Sequence, residues 1–513
     1  MKFEIKYNYI VFGFVLYAFG FTGCKKLVDV GEPPSTVTST EVFSTSDQAN
    51  SVIAGIYSRM MTNNGNLEWS NGAATIYGGL SSDELVNYGG VSNDADYQFF
   101  TNTLLNNNNN SDSYFWQAAY KNIYDANAAI AGLTASKSNL LDAATKSDLL
   151  GEAKFLRAFS YFYLTNLYGD VPLVLITDVN QTKLAKRVPQ PQVYQQIIQD
   201  LKDAQATLPV DFAVGGGERI RANRYAAMAL LARVYLYQKL WTNAYAEADS
   251  VISNSQFSLV TDLTQVFNAN STEAILQFQQ YGATNQNPRN GTWDGYSFIP
   301  KLIWSHIPSG TQSNYLSSLN TYNSALPALL RVYYLSNELG KAFEAGDQRK
   351  VLWLDSVPNP TGNTYYYPFK YTLGITTNSP ANKYGNSSTI PQYYMVLRLA
   401  EQFLIRAEAE ADGAGGGLPA AVADLNVIRS RAGLPNYAGA MDQTAVLAAI
   451  IHERQVELFA EWGHRWLDLK RWGIATSVLS TNKKITVSSN SLVYPIPLTE
   501  LQQDPNLTQN PGY

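Results

Sequence analysis

Side chains that could do chemistry are scarce in this chain. Among its 513 residues are three histidines, His306, His452 and His464, and one cysteine, Cys24. His452-Glu453 begins like the H-E-x-x-H helix of zinc proteases, in which two imidazoles one turn apart hold the metal and the glutamate activates water. The second histidine would stand at position 456, which is Val456. The motif fails, packing is the better reading of His452 and His464, and no metal ligand is assigned. So few imidazoles are poor material for a Ser-His-Asp triad, and no G-x-S-x-G is present. Gly215-Gly216-Gly217 and Gly415-Gly416-Gly417 lack the Lys-Ser/Thr that completes a phosphate loop, and they read as turns. The 42 acidic residues do not exclude a glycosidase carboxylate pair by number, but no local motif nominates one. The sequence assigns no catalytic residue and no cofactor.

What remains is recognition. Residues 63–111 and 270–325 mix aromatics with Asn, Ser, Gly and Asp and interrupt helical patterning. Aromatic rings stack on the C–H faces of sugars, while amides and carboxylates bond sugar hydroxyls, often through water. Trp69, Tyr88, Trp293 and Tyr296 stand among polar neighbours and are the candidate platforms; Asp83 and Asn87 are the candidate hydrogen-bonding groups. The two regions are expected to meet in one shallow face.

A rigid frame must hold such loops, and the periodicity supplies helices. Apolar residues recur at helical spacing in Ala49 to Met60, Phe115 to Leu133, Leu149 to Tyr168, Val193 to Leu208, Arg224 to Tyr237 and Trp241 to Ile252. Ala227, Leu231, Ala232 and Tyr235, then Ala244 and Ala248, have the small-residue spacing of a tetratricopeptide unit. Leu399 to Ala411 followed by Leu418 to Arg431 repeats it. Each pair must stack on its neighbours to bury its face. The fold class is mainly α, a tetratricopeptide-like helix-pair scaffold over about 112–268 and 396–473. A loop-rich, irregular subdomain with minor β occupies 63–111 and 270–395, with short strands near Tyr365 to Tyr371 and a proline-rich extended tail over 474–513.

The net charge of −5 is mild and charged residues are only 15 %, with no basic patch, so no nucleic-acid partner is expected. Lys2 and Lys6 precede an apolar run from Ile10 to Phe21, the length of a signal peptide and short for a membrane span. Phe21-Thr22-Gly23-Cys24 resembles a lipobox, so residues 1–23 read as a lipoprotein signal, Cys24 as the lipidated residue, 24–40 as a tether with a Thr38-Ser39-Thr40-Glu41 capping box, and 41–513 as one body. Lipid chains would anchor the protein to a membrane.

Residues 450 to 473 concentrate tryptophan and charge: I-I-H-E-R-Q-V-E-L-F-A-E-W-G-H-R-W-L-D-L-K-R-W-G. Ile451, Leu458, Phe459 and Trp462 fit one helical face up to a stop at Gly463. Glu453, Glu457 and Glu461 form an acidic stripe, with Arg454 and Arg465 as local i+3 and i+4 partners, which predicts a partly buried ion network. This stretch resembles the signature of the SusD/RagB family of bacterial outer-membrane nutrient-binding lipoproteins, E-R-x-x-E-L-x-x-E-G-x-R-W-x-D-L-x-R-W. G-E-A-K-F-L-R-A-F-S-Y-F-Y-L-T-N-L-Y-G-D-V-P-L from Gly151, A-F-E-A-G-D-Q-R from Ala342 and the ending from Leu492 resemble the same family in order. The resemblance implies a structural pair of Asp347 with Arg349. It also implies a non-enzymatic, surface-exposed lipoprotein of the outer membrane. Such a protein captures an oligosaccharide, or less often a peptide, and delivers it to a SusC-like TonB-dependent transporter. A surface glycosidase and a purely structural transporter-associated scaffold are the alternatives of other classes.

Overall fold

The computed structural model describes residues 42–62, 66–88, 94–280, 292–299, 333–358, 364–372 and 392–513. The leader, Cys24, the tether and its capping box lie outside the described residues, as does much of 270–325.

The frame is a relay of helices, each packed on the next. Helix α1 (Ser46–Thr62) and α2 (Ala73–Ser81) precede β1 (Leu85–Asn87) and α3 (Asp94–Thr101). The stack proper runs α4 (Ala118–Ala135), α5 (Ala143–Tyr168), α6 (Gln190–Thr207), α7 (Arg224–Tyr237) and α8 (Trp241–Ile252). Strand β2 (Val171–Pro172) and β3 (Arg187–Val188) pair between α5 and α6. Asp142, Asn223 and other polar caps accept the first free amides of their helices, at 2.8 Å for Thr145 on α5 and 3.0 Å for Ala226 on α7. Helix α7 is buried on nearly every side from Ala226 to Tyr237, as befits a central helix.

Strand β4 (Ala274–Phe278) then crosses the body, followed by α9 (Trp293–Phe298), β5 (Tyr333–Leu335), α10 (Gln348–Leu352) and the hairpin β6 (Leu354–Pro358)–β7 (Thr364–Pro368). Strand β8 (Tyr394–Arg398) pairs antiparallel with β4 and runs straight into α11 (Leu399–Ala411), which packs on α8. Towards the C-terminus follow α12 (Gly417–Arg431), α13 (Gln443–Glu457), α14 (His464–Arg471) and α15 (Ala475–Lys483). Every sheet among the described residues has two strands, so the described protein is mainly helical with small sheets. No described helix is long and apolar enough to cross a membrane.

Three expectations need correction. Helix α13 ends at Glu457, and Ala460, Trp462 and Gly463 all take left-handed backbone, so Leu458, Phe459 and Trp462 do not continue its face. The turn instead drives Trp462 into the core, 4.9 Å from Tyr394 and 5.3 Å from Phe159. The local ion pairs are replaced by distant ones: Arg454 pairs with Asp468, and Arg465 with Asp83. Glu453 and Glu457 meet Arg349 at 2.6 and 2.8 Å, and Glu461 meets Arg398 and Lys370. Burial alone would raise the Glu457 carboxyl; the guanidinium groups of Arg431, Arg398 and Arg349 overcome it and hold it well below the usual carboxylate range. Asp347 and Arg349 pair at 2.8 Å. The tail is not extended throughout, since it holds α15 and a further helix at Leu498–Gln503. Its Tyr494 is buried and donates its N–H to the Leu167 carbonyl.

Candidate functional site

Residues 63–111 are not one long loop. Helix α2 lies inside them and all nine of its residues are buried. Its Ala, Gly, Ser and Thr composition imitates a turn, but here small side chains allow close approach. A Cβ on Gly78 would lie 2.6 Å from the Gly463 Cα, so the helix and the Trp462 turn touch backbone to backbone.

This placement decides the fate of the candidate residues. Trp69 is only 1 % exposed and packs against Phe159 at 5.2 Å and Tyr163 at 5.1 Å on α5. It is a core residue and offers no face to a ligand, which corrects its reading as a platform. Asp83 is likewise buried. Arg465 donates to both its oxygens, and Asn482 donates to Oδ2 at 2.7 Å. Its carboxyl is engaged in structure rather than open to sugar hydroxyls. Burial opposes ionisation of Asp83, but the Arg465 hydrogen bonds and charge prevail and its pKa is lowered. Asn87 is buried within β1, and Trp293 is buried at the start of α9. Trp293 does bring the two aromatic regions together: its Cβ lies 2.9 Å from where a Cβ on Gly72 would stand. The side chain of Tyr296 lies outside the described residues.

Tyr88 alone of the described candidates is open, at 49 % exposure. It follows β1, which pairs antiparallel with β5 in the register Val86↔Tyr334 and Asn87↔Tyr333. The β6–β7 hairpin lies against β5 and brings Tyr365 to the same place. The Tyr88 and Tyr365 rings are 4.5 Å apart and tilted by 50°. Buried Tyr334 lies beneath them, 4.9 Å from Tyr365 and 5.7 Å from Tyr88. Tyr366, next along β7, is 39 % exposed. Burial, then the neighbouring Tyr365 phenol, raises the Tyr88 pKa, so the hydroxyl stays neutral and can both donate and accept. Tyr365 and Tyr366 were missed as candidates; the one signal was the run T-Y-Y-Y-P, where strand alternation sends successive rings to opposite faces.

The platform is held from below. Asp96 accepts hydrogen bonds from Tyr77 at 2.9 Å, from Asn110 at 2.8 Å and from Tyr333 on β5. Ser336 donates its N–H to the Glu84 carbonyl and its hydroxyl to the Asp83 carbonyl. Asp83, tied to Arg465, thus fixes the turn from which β1 and Tyr88 depart.

Several described groups that could do bond chemistry are buried or engaged. Glu84 is fully buried and its carboxyl is pushed up to about 8, first by burial and then by the charge of Asp83. Both oxygens of Asp294 are cut off from solvent. The His452 Nε2 sits 2.7 Å from the Ala342 carbonyl, and burial presses His464 down to about 4. His306 lies outside the described residues. Among those described, no group of three His, Cys, Asp or Glu side chains is placed to hold a metal ion. The arrangement therefore offers neutral aromatic and hydroxyl surface, suited to non-covalent recognition.

Comparison with known proteins adds independent information. Residues 345–513 match the model of the SusD family, and residues 33–236 match a model described as starch-binding associating with outer membrane. The chain is 27 % identical to SusD-like protein P2 of Formosa agariphila, over 98 % of its own length and 99 % of that protein. It is 26 % identical to the starch-binding protein SusD of Bacteroides thetaiotaomicron, over 71 % of the chain and 72 % of the relative. The solved structure of a laminarin-binding SusD-like protein superposes with a TM-score of 0.72 at 25 % identity, covering 92 % of this chain and all of the other.

Proposed function

We propose a function from one premise, that the chain belongs to the SusD family. It binds a neutral glycan without cleaving it, at the outer membrane, and hands the glycan to a partner TonB-dependent transporter. The observation that carries the binding step is the open tyrosine cluster. Tyr88 and Tyr365 stack over buried Tyr334. A rigid ring is a good sugar platform because two side-chain torsions cost little entropy to fix. The starch- and laminarin-binding relatives support a polysaccharide of this kind. The buried state of the raised acids Glu84 and Asp294 supports binding over hydrolysis. Lipidation at Cys24 and the transporter partnership are drawn from the leader-like sequence and the family resemblance.

The binding step is tested by calorimetry of the purified protein against a panel of neutral hexasaccharides, including laminarihexaose and maltohexaose. Products are analysed in the same samples: binding without new reducing ends supports the proposal, and turnover contradicts it. Delivery is tested by isolating the protein from native outer membranes, where a stoichiometric TonB-dependent transporter should accompany it.

A further inference from the structure

The β6–β7 hairpin has a second feature at its base. Its outer half carries Tyr365 and Tyr366. Its inner end, with Leu354 and Asp355 on β6 and Phe369 just past β7, walls a cavity of about 630 Å³. That volume falls within the roughly 300–1,000 Å³ of small-molecule sites. Asp355 is two strand residues, about 7 Å, from Val357, the register partner of Tyr365. Cavity and tyrosine cluster are therefore neighbours along one hairpin.

The lining has a definite chemical character. Thr264, Gln265 and Asn268, from the turn before β4, and Thr372 supply hydroxyl and amide groups. Val351, 69 % exposed at the mouth, and Phe369 supply apolar surface. The charged members among the described lining are already engaged. Lys370 Nζ donates to the Glu461 carboxylate at 2.6 Å and to the Glu457 and Phe459 carbonyls at 2.8 Å. Asp355 accepts the Tyr367 hydroxyl at 2.6 Å and the Ser356 N–H at 2.7 Å. A ligand meets neutral donors and acceptors against an apolar wall. A phosphate or an acidic sugar would have to displace an existing ion pair to find a counter-charge, and a buried charge without one is costly. A neutral polyol meets its complement: hydroxyls against amides and hydroxyls, C–H surface against Val351 and Phe369.

We propose that this cavity is a second saccharide subsite, which takes a short neutral segment of the same glycan that stacks on the tyrosine cluster. The inference rests on the glycan-binding reading above, and the test keeps the two apart. Laminarihexaose and maltohexaose are titrated into the full chain, into Val351→Trp, and into the double variant Gln265→Ala/Asn268→Ala. The first variant plugs the mouth from an exposed position and the second removes the amides; melting curves check that both remain folded. Expected is binding by the wild type, at least threefold weaker binding by each variant, and unchanged melting. Wild-type affinity in both variants overturns the subsite and leaves the glycan reading standing. Failure of the wild type to bind either oligosaccharide overturns the glycan reading, and the subsite with it.

Discussion

Arg465 grips Asp83 across 382 positions of chain, Nε to Oδ1 at 2.7 Å and Nη2 to Oδ2 at 2.9 Å. Both partners are buried. The pair ties the signature turn of the C-terminal half to the turn that launches β1, so it sets where Tyr88 stands. Removing one partner leaves the other charge buried and unpaired, which costs about 3–5 kcal/mol. Arg465→Ala is therefore expected to lower the unfolding free energy by that amount, read as a lower midpoint in urea denaturation at unchanged m. A variant with wild-type stability but lost ligand binding would instead make this pair part of the site.

Trp69→Ala is expected to behave as a core deletion. Its ring fills space between α5 and Trp462, 6.4 Å away, and a Trp→Ala change in a core costs about 3–5 kcal/mol. Thermal unfolding measures this. An unchanged midpoint would show that the ring is not packed as described.

Glu84→Gln tests the buried acid through pH. The folded carboxyl titrates at about 8, against about 4.3 when unfolded. Between those values the folded state binds the proton and the unfolded state has lost it. Glu84 therefore subtracts stability as pH rises, by about 1.4 kcal/mol per unit. The variant should match the wild type near pH 4 and exceed it increasingly up to pH 8. Parallel stability profiles of the two proteins would contradict this.

Cys24→Ala should leave the protein unlipidated, appearing in the soluble fraction or as an uncleaved precursor. Metabolic labelling with a tagged fatty acid measures it. Label retained on the variant would contradict the lipobox reading.

Most of the longer helices of the frame were legible from the spacing of their apolar residues. Arg224 to Tyr237, Trp241 to Ile252 and Leu399 to Ala411 form with the expected ends, and Leu149 to Tyr168 forms with six more residues at its start. Helix α2 was illegible because it is only nine residues long and its Gly, Ala, Ser and Thr carry the composition of a turn. The ion network of residues 453–468 was legible as a network but not in its partners: opposite charges four apart in sequence suggest each other, yet the fold supplies Arg349, Arg398 and Asp83 from far away. The same limit governs the site. Tyr88 was legible, whereas its company with Tyr365 depends on three-residue strand pairing across about 250 positions of sequence, which leaves no local mark. Trp69 and Asp83 were misread because polar neighbours in sequence are not neighbours in space.

The central claim is that the tyrosine cluster is a glycan platform on a frame that does not need it. The most direct measurement is calorimetry of Tyr88→Ala/Tyr365→Ala with the hexasaccharide that the wild type binds best, alongside its melting curve. Each aromatic contact is worth about 0.5–1.5 kcal/mol beyond its buried area, so the account predicts affinity about tenfold weaker with a melting temperature near that of the wild type. Undiminished affinity in a folded double variant would contradict it.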